Sequence, residues 1–216
     1  MTLNRQLPQY VLGLLVMALG IVLIKQANTG VSPVSVVPSA LSNILPLSFG
    51  NTTIIFQLFC FLVTLAVLRK LSVKTVLIVP LSFVFGYIID LYMFLLPAKL
   101  FGSMPVWLCY VICLAGIVAT ALGIVAIVGA NLMLPAPDAL VRAVSATYQK
   151  PLSMVKIAGD AFWSVLTIVI ELIFCGKVLS VWIGTVLSVL LTGKLVGVFG
   201  KCLPWLDLNQ QEKAKA

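Results

Sequence analysis

The stretch Ala18 to Ile24 reads ALGIVLI, and Ala121 to Ile127, 103 residues further on, reads ALGIVAI, with six of seven positions identical. The same ungapped offset pairs Gly13 with Gly116, Ala27 and Asn28 with Ala130 and Asn131, Phe59 with Phe162, and Thr64 with Thr167. These identities cluster in two apolar segments at one fixed spacing, which shared composition alone does not produce. The two halves of the chain therefore read as copies of one unit. Duplicated units in a membrane chain are a mark of transporters.

Composition places the repeat in a bilayer. Of 216 residues, 62% are hydrophobic and only 9% charged, and the mean hydropathy is +1.18. That leaves too little polar surface to coat a soluble domain. A spanning helix needs about 20 mostly apolar residues, and six segments qualify: Pro8 to Lys25, Asn51 to Leu68, Lys74 to Leu96, Met104 to Val128, Leu152 to Gly176 and Leu179 to Lys201. Runs this continuously apolar exclude the alternating pattern of a barrel, which leaves helices. The expected fold is an all-α membrane protein of six transmembrane helices. Arg5 before an apolar run imitates a signal peptide, but the near-copy of that run in mid-chain argues that it stays.

The net charge of +8 would point to nucleic acid in a soluble protein. Here the basic residues sit at the ends of spans and set orientation, so no nucleic-acid partner is expected. With the amino terminus in the cytoplasm, Arg5, Arg69, Lys70, Lys74, Arg142, Lys150, Lys156, Lys201, Lys213 and Lys215 fall inside. Lys25, Lys99 and Lys177 fall outside, and Lys194 lies within the last span. This is the positive-inside bias, and it puts both termini in the cytoplasm. Three spans per unit is an odd number, so the second unit enters the membrane inverted. Residues 1–102 and 103–206 are thus expected to form two inverted three-helix repeats, followed by a cytoplasmic tail, 207–216.

Within each unit the first two spans are joined by a connector too long for a turn and too short to span. One reads Asn28-Thr29-Gly30-Val31-Ser32-Pro33-Val34-Ser35 and the other Asn131-Leu132-Met133-Leu134-Pro135-Ala136-Pro137-Asp138. Ser and Pro start helices, and Asp138 lies in a first turn, where the helix dipole favours an anion. Short helices are expected over Pro33 to Ile44 and Pro137 to Thr147, with Pro38 bending or restarting the first. Two arrangements fit: broken, re-entrant half-helices aimed at a shared cavity, or amphipathic helices lying on opposite membrane faces.

Polar residues in spans are costly and default to functional candidates. The offset pairs Asn28 with Asn131, Ser35 with Asp138, and Gln57 with Asp160. Asp160 has two candidate partners, Lys156 one turn earlier on its own helix and Lys194 across helices, the latter a pair that a proton or substrate would open and close. Asp90 and Glu171, near span ends, reach toward headgroups on this reading, and Lys25 snorkels to the outer surface. Gly13, Gly20, Gly116 and Gly123 permit close helix approach.

No histidine is present, and the five cysteines lie in or beside apolar spans. Neither a usual zinc site nor a Cys-His pair can be assembled, so no metal, no cofactor and no enzyme activity is expected. Cys109 and Cys113, one turn apart, read as packing residues.

The segment Ala27-Asn28-Thr29-Gly30-Val31-Ser32-Pro33 after an ALGI-type first span, a Pro-Ser-Ala-Leu-Ser helix and then Ser48-Phe49-Gly50 resembles the bacterial YitT/YczE/YyaS family of integral membrane proteins. Pro135-Ala136-Pro137-Asp138-Ala139-Leu140 is similar to a Pro-x-Asp element of that family, while the extra proline and the Leu132-Met133-Leu134 run depart from a glycine-containing version. The resemblance implies a multi-pass protein of the bacterial cytoplasmic membrane and names no substrate. The expected function is a secondary, gradient-driven transporter or permease for a small solute or ion, with a central site of Asn28, Ser32, Ser35, Gln57, Asn131, Asp138 and Asp160, and with Asp160 and Lys194 in coupling or gating. The alternative is a membrane-embedded accessory or regulatory protein without transport. Helix amino ends would suit an anion, Asp138 and Asp160 a cation or proton.

Overall fold

The computed structural model describes residues 3–69, 73–102, 104–130 and 132–202. Among them every regular element is helical. Helix α1 (Leu3–Gln26) leads through a 3₁₀ turn (Pro33–Ser35) into α2 (Val36–Ile44), then α3 (Phe49–Leu68), α4 (Val73–Val76), α5 (Ile78–Leu95), α6 (Lys99–Gly102), α7 (Val106–Ala130), α8 (Ala136–Tyr148), α9 (Leu152–Cys175) and α10 (Ile183–Cys202). Six of these, α1, α3, α5, α7, α9 and α10, are long and apolar enough to cross a membrane. Asn131 and the tail from 203 onward lie outside the described residues.

Local chemistry sets the helix ends. Ser48 caps α3 by accepting the amide of Asn51, as a short hydroxyl does for an orphan donor of a first turn. Arg69, Gln149 and Gly176 end α3, α8 and α9 in the left-handed conformation. The third span starts at Ile78, not Lys74: Pro80 has no amide for the carbonyl of Val76, so the chain breaks at Leu77 between α4 and α5. The sixth starts at Ile183, not Leu179, because the amides of Leu179 and Ser180 are held by the Glu171 carboxylate. Pro38 neither bends nor restarts α2. It is the third residue of that helix, where a missing amide is one of the unpaired four, and the 3₁₀ turn before it closes through Ser35 N–H to Ser32 C=O at 2.8 Å.

The spacing of the sequence repeat recurs in the elements. Val106 starts α7 103 residues after Leu3 starts α1, Ala136 starts α8 103 after Pro33, and Leu152 starts α9 103 after Phe49. The packing follows the same correspondence: α1 packs on α5 as α7 packs on α10, α2 on α3 as α8 on α9, and α2 on α9 as α8 on α3. One packing lacks a counterpart of comparable extent, that of α3 on α5.

The most extensive contact joins α1 to α7. Numbers rise along one helix as they fall along the other, so the two run antiparallel: Gly13 faces Gly123 to Ile127, and Gly20 faces Gly116 and Thr120. The contact also repeats itself. A Cβ on Gly13 would stand 2.9 Å from Cγ1 of Ile127, and one on Gly116 would stand 2.8 Å from Cγ1 of Ile24, the residue 103 positions before Ile127. Glycine at these points lets the two backbones approach where lipid supplies no hydrophobic drive for association. Around this seam lies a core of Tyr10, Leu14, Met17 and Ile21 from α1 with Phe85 and Ile89 from α5 and Ile127 from α7.

Candidate functional site

Three charged side chains meet where α8 starts and α9 runs past it. Lys156 Nζ lies 3.1 Å from Asp138 Oδ1 and 3.1 Å from Asp160 Oδ1. The left-handed Gln149 and the following Pro151 turn the chain back, so α9 packs on α8 and brings Asp138 to the face of α9 that carries Lys156 and Asp160, one turn apart. Two carboxylates share one ammonium. Asp160 is buried and Lys156 half-buried, so the pairing is far less screened than on a wet surface.

Around the triad the two connectors converge. Val31 and Val36 from the first and Ala136 and Leu140 from the second join Phe56 and Cys60 of α3 in one apolar cluster. Both short helices are buried at their amino ends and open at their carboxyl ends: Val36 to Ala40 are all buried while Asn43 and Leu45 are exposed, and Pro135 to Pro137 are buried while Ala146 to Tyr148 are exposed.

The remaining expected site residues are placed as follows. Ser32 and Ser35 are buried in the 3₁₀ turn, packed between α2 and α9. Gln57, also buried, accepts the Ser82 hydroxyl at 3.1 Å and does not join the charged triad. Asn28 is exposed, with φ +54, and with Gln26 and Thr29 lines a separate cavity of about 550 Å³ against Tyr110 and Trp182. Lys194 is exposed on α10, and among the described residues the ion partner of Asp160 is Lys156.

Sequence reasoning missed a second polar cluster, at the end of the bundle where α1 finishes. Glu171 has none of its surface exposed. Its carboxylate accepts the amides of Leu179 (2.7 Å) and Ser180 (3.0 Å), the Ser180 hydroxyl (2.5 Å) and the Asn43 amide (3.5 Å). Ser180 Oγ also lies 2.9 Å from Ser39 Oγ. Lys25 Nζ donates to Ser39 (2.9 Å) and Ser42 (3.2 Å) and stands 4.1 Å over the Phe49 ring. Glu171 therefore does not reach headgroups, and Lys25 turns inward instead of snorkelling. The signal was available in α2: Ser39, Ser42 and Asn43 have the i, i+3, i+4 spacing that sets a polar stripe on one helix face. Asp90 also differs from expectation. It accepts the Ser48 hydroxyl (2.5 Å) and the Gly50 amide (2.7 Å), fastening α5 to the start of α3.

A third feature is a cavity of about 310 Å³ at the opposite end, lined by α8 and by the carboxyl ends of α3 and α7; Arg142, Ala139, Val128, Leu68 and Thr64 are among its walls.

The chain belongs to a family of unknown function, DUF6198, whose family model matches residues 4–201. No curated protein and no solved structure matches it.

Proposed function

We propose that this member of DUF6198 is a secondary transporter or permease for a small solute, built from two inverted three-helix repeats whose short helices enter the protein as half-helices. The observation that carries the reading is the burial of α2, whose first five residues, Val36 to Ala40, are all buried while its carboxyl end is open. A helix lying flat on a membrane would instead alternate buried and exposed along its whole length. Its counterpart α8 is buried at its first two residues and then along one face, at Leu140 and Ala143, with Arg142 exposed. Broken helices whose amino ends meet inside the bundle are the substrate-site geometry of inverted-repeat transporters. The antiparallel, self-repeating α1–α7 contact supports the inversion, since two copies related by an axis in the membrane plane meet in this way. The kinship with YitT/YczE/YyaS proteins and a bacterial cytoplasmic membrane with both termini inside belong to the same proposal.

The triad favours a positively charged cargo. Asp138 and Asp160 share Lys156, so the cluster is one positive charge short of neutrality. A cationic solute, or a proton moving against the solute, completes it. Lys156 then acts as the internal stand-in for that cation, leaving one carboxylate when the solute arrives.

The test is a thermal-shift screen of the purified protein against metal cations, amines, amino acids and organic acids, run in parallel on Asp160→Asn. An amine or cation that stabilises the parent by about 2–3 kcal/mol at a hundredfold excess over its Kd, and fails to stabilise the variant, is the expected result. If no solute shifts either protein while a co-purifying protein or lipid shifts both, the chain is an accessory protein and transport is abandoned.

A further inference from the structure

We infer that the 310 Å³ cavity beside Arg142 is a binding site for an anionic phospholipid, with the phosphate on Arg142 and the upper part of one acyl chain against the apolar walls. Such a lipid stays with the protein, and its binding is independent of any cargo.

The walls are mostly aliphatic, with Leu68 from the end of α3, Val128 from the end of α7 and the Leu132-Met133-Leu134 run between α7 and α8. Two polar side chains without partners, Arg142 and Thr75, interrupt them. Arg142 is exposed, and among the described residues it makes no ion pair: Asp138, one turn earlier on α8, gives its carboxylate to Lys156 instead. Thr75 is only 7% exposed, and among the described residues no hydrogen bond satisfies its hydroxyl. A buried hydroxyl left unbonded calls for an explanation, and a ligand oxygen in the cavity supplies one.

Charge selects the ligand. Arg69, which follows the wall residue Leu68, and Lys150, just beyond the end of α8, are also exposed and also unpaired among the described residues. The carboxyl ends of α3, α7 and α8 each bring about half a negative charge, and three full positive charges outweigh them. The cavity therefore favours an anion, and its aliphatic walls favour one that carries a hydrocarbon chain. Depth agrees with this. Helix α3 has 20 residues, about 30 Å of helix, which is the thickness of a hydrocarbon core. With α3 across the bilayer, Leu68 stands at the boundary, and Thr64, another wall residue, lies about 6 Å within it. At that level the phosphate of a phospholipid gives way to its chains, and basic pockets between helices hold anionic headgroups there. The cavity is at the small end of ligand pockets, which suits the junction of headgroup and chain, the rest of the lipid remaining in the bilayer.

The test is native mass spectrometry of the purified full chain in detergent, offered equal amounts of phosphatidylglycerol and phosphatidylcholine with the same acyl chains. Two variants separate charge from shape. Arg142→Gln removes the guanidinium, while Ala146→Phe keeps every charge and fills the cavity from its α8 wall. Lys177→Gln is the control, since it removes one exposed positive charge in the turn after α9, at the Lys25 end. The parent is expected to retain phosphatidylglycerol in preference to phosphatidylcholine. Its apparent affinity falls about tenfold in Arg142→Gln, the effect of one charge-assisted hydrogen bond, and falls by a similar factor in Ala146→Phe. Lys177→Gln leaves it unchanged.

Equal retention of the two lipids by the parent, or unchanged retention in both variants, overturns the site. A loss in Arg142→Gln that Lys177→Gln matches shows attraction to overall charge and overturns it too, as does a loss in Arg142→Gln with none in Ala146→Phe, which leaves the cavity no part. Glycerol phosphate in excess is the soluble form of the headgroup. If it displaces the lipid, the site belongs to a free anion and the phospholipid is overturned; a lipid that stays bound supports the assignment. Should Arg142→Gln fail to fold, Ala146→Phe decides alone. No cargo enters this experiment, so its outcome and that of the transport reading are independent.

Discussion

Gly20 and Gly116 lie so close that a methyl group on either would strike the other's carbonyl oxygen, at 2.6 Å from Gly20 and 2.8 Å from Gly116. Neither helix backbone can give way within the seam. Gly20→Ala is therefore expected to destabilise the protein by about 1–3 kcal/mol through overpacking, despite the better helix propensity of alanine. Gly193→Ala, at an α10 position with open space around the added carbon, should be neutral or stabilising by up to about 1 kcal/mol. Thermal unfolding in one detergent compares the two, and equal effects would mean that the seam does not hold α1 to α7.

Lys156 serves two carboxylates, so its loss should cost more than the loss of either. Lys156→Met leaves Asp138 and Asp160 facing each other unpaired. The expected destabilisation is about 2–3 kcal/mol, below the cost of a fully buried pair because the ammonium is a third exposed. Adding Asp160→Asn to Lys156→Met should recover part of it. A double-mutant cycle on thermal stability checks the coupling, and strict additivity would show that the two groups do not interact.

Glycine at position 30 answers to backbone as well as space. Its φ is +133, and a Cβ there would meet the amide of Thr185 at 2.7 Å. Gly176 also has a positive φ, +66, but nothing near it. Gly176→Ala should cost about 1 kcal/mol. Gly30→Ala should cost at least about 2–3 kcal/mol, because strain and collision add, and should loosen the bond from Gly184 N–H to the Thr29 carbonyl. Hydrogen exchange at Gly184, compared between the two variants, reads the local part of that effect.

The carboxylate of Asp90 fastens the start of α3 to α5 through Ser48 and the Gly50 amide. Asp90→Ala should destabilise by about 1–2 kcal/mol, the range for a lost cap, and protection of the α3 amino-terminal amides should fall with it. If α3 keeps its protection, the cap is supplied by Ser48 alone.

Much of this architecture is legible in the sequence, because apolar length and a repeated segment are local facts. The six spans and both short helices follow from composition and from the prolines at the short-helix starts, although neither Ser32 nor Ser35 makes the expected capping bond. Helical spacing offers Lys156 as one of two partners for Asp160, and the structure pairs it with that one. Glu171 was not legible. Its partners come from a loop eight and nine residues on and from α2 more than a hundred residues away, and nothing in its own span distinguishes a carboxylate capped by amides from one reaching for headgroups. Asp138 was placed at the right helix end, but its bond to Lys156 depends on how sharply the chain reverses at Gln149, which spacing along one helix does not encode. The late start of α10 has the same origin, since Leu179 and Ser180 are held by a side chain and not by the helix they precede.

The closest points of the α1–α7 seam are glycines, which have no rotamers to exchange. Interlocked side chains hold two helices at one crossing angle, because any rotation lifts them out of their grooves. At Gly13 and Gly116, Ile127 and Ile24 of the facing helix seat into the space that a side chain would have filled, so the seam is keyed as well as close. The place where the two halves of the chain are pressed hardest together is for that reason a fixed strut, about which the other helices are arranged.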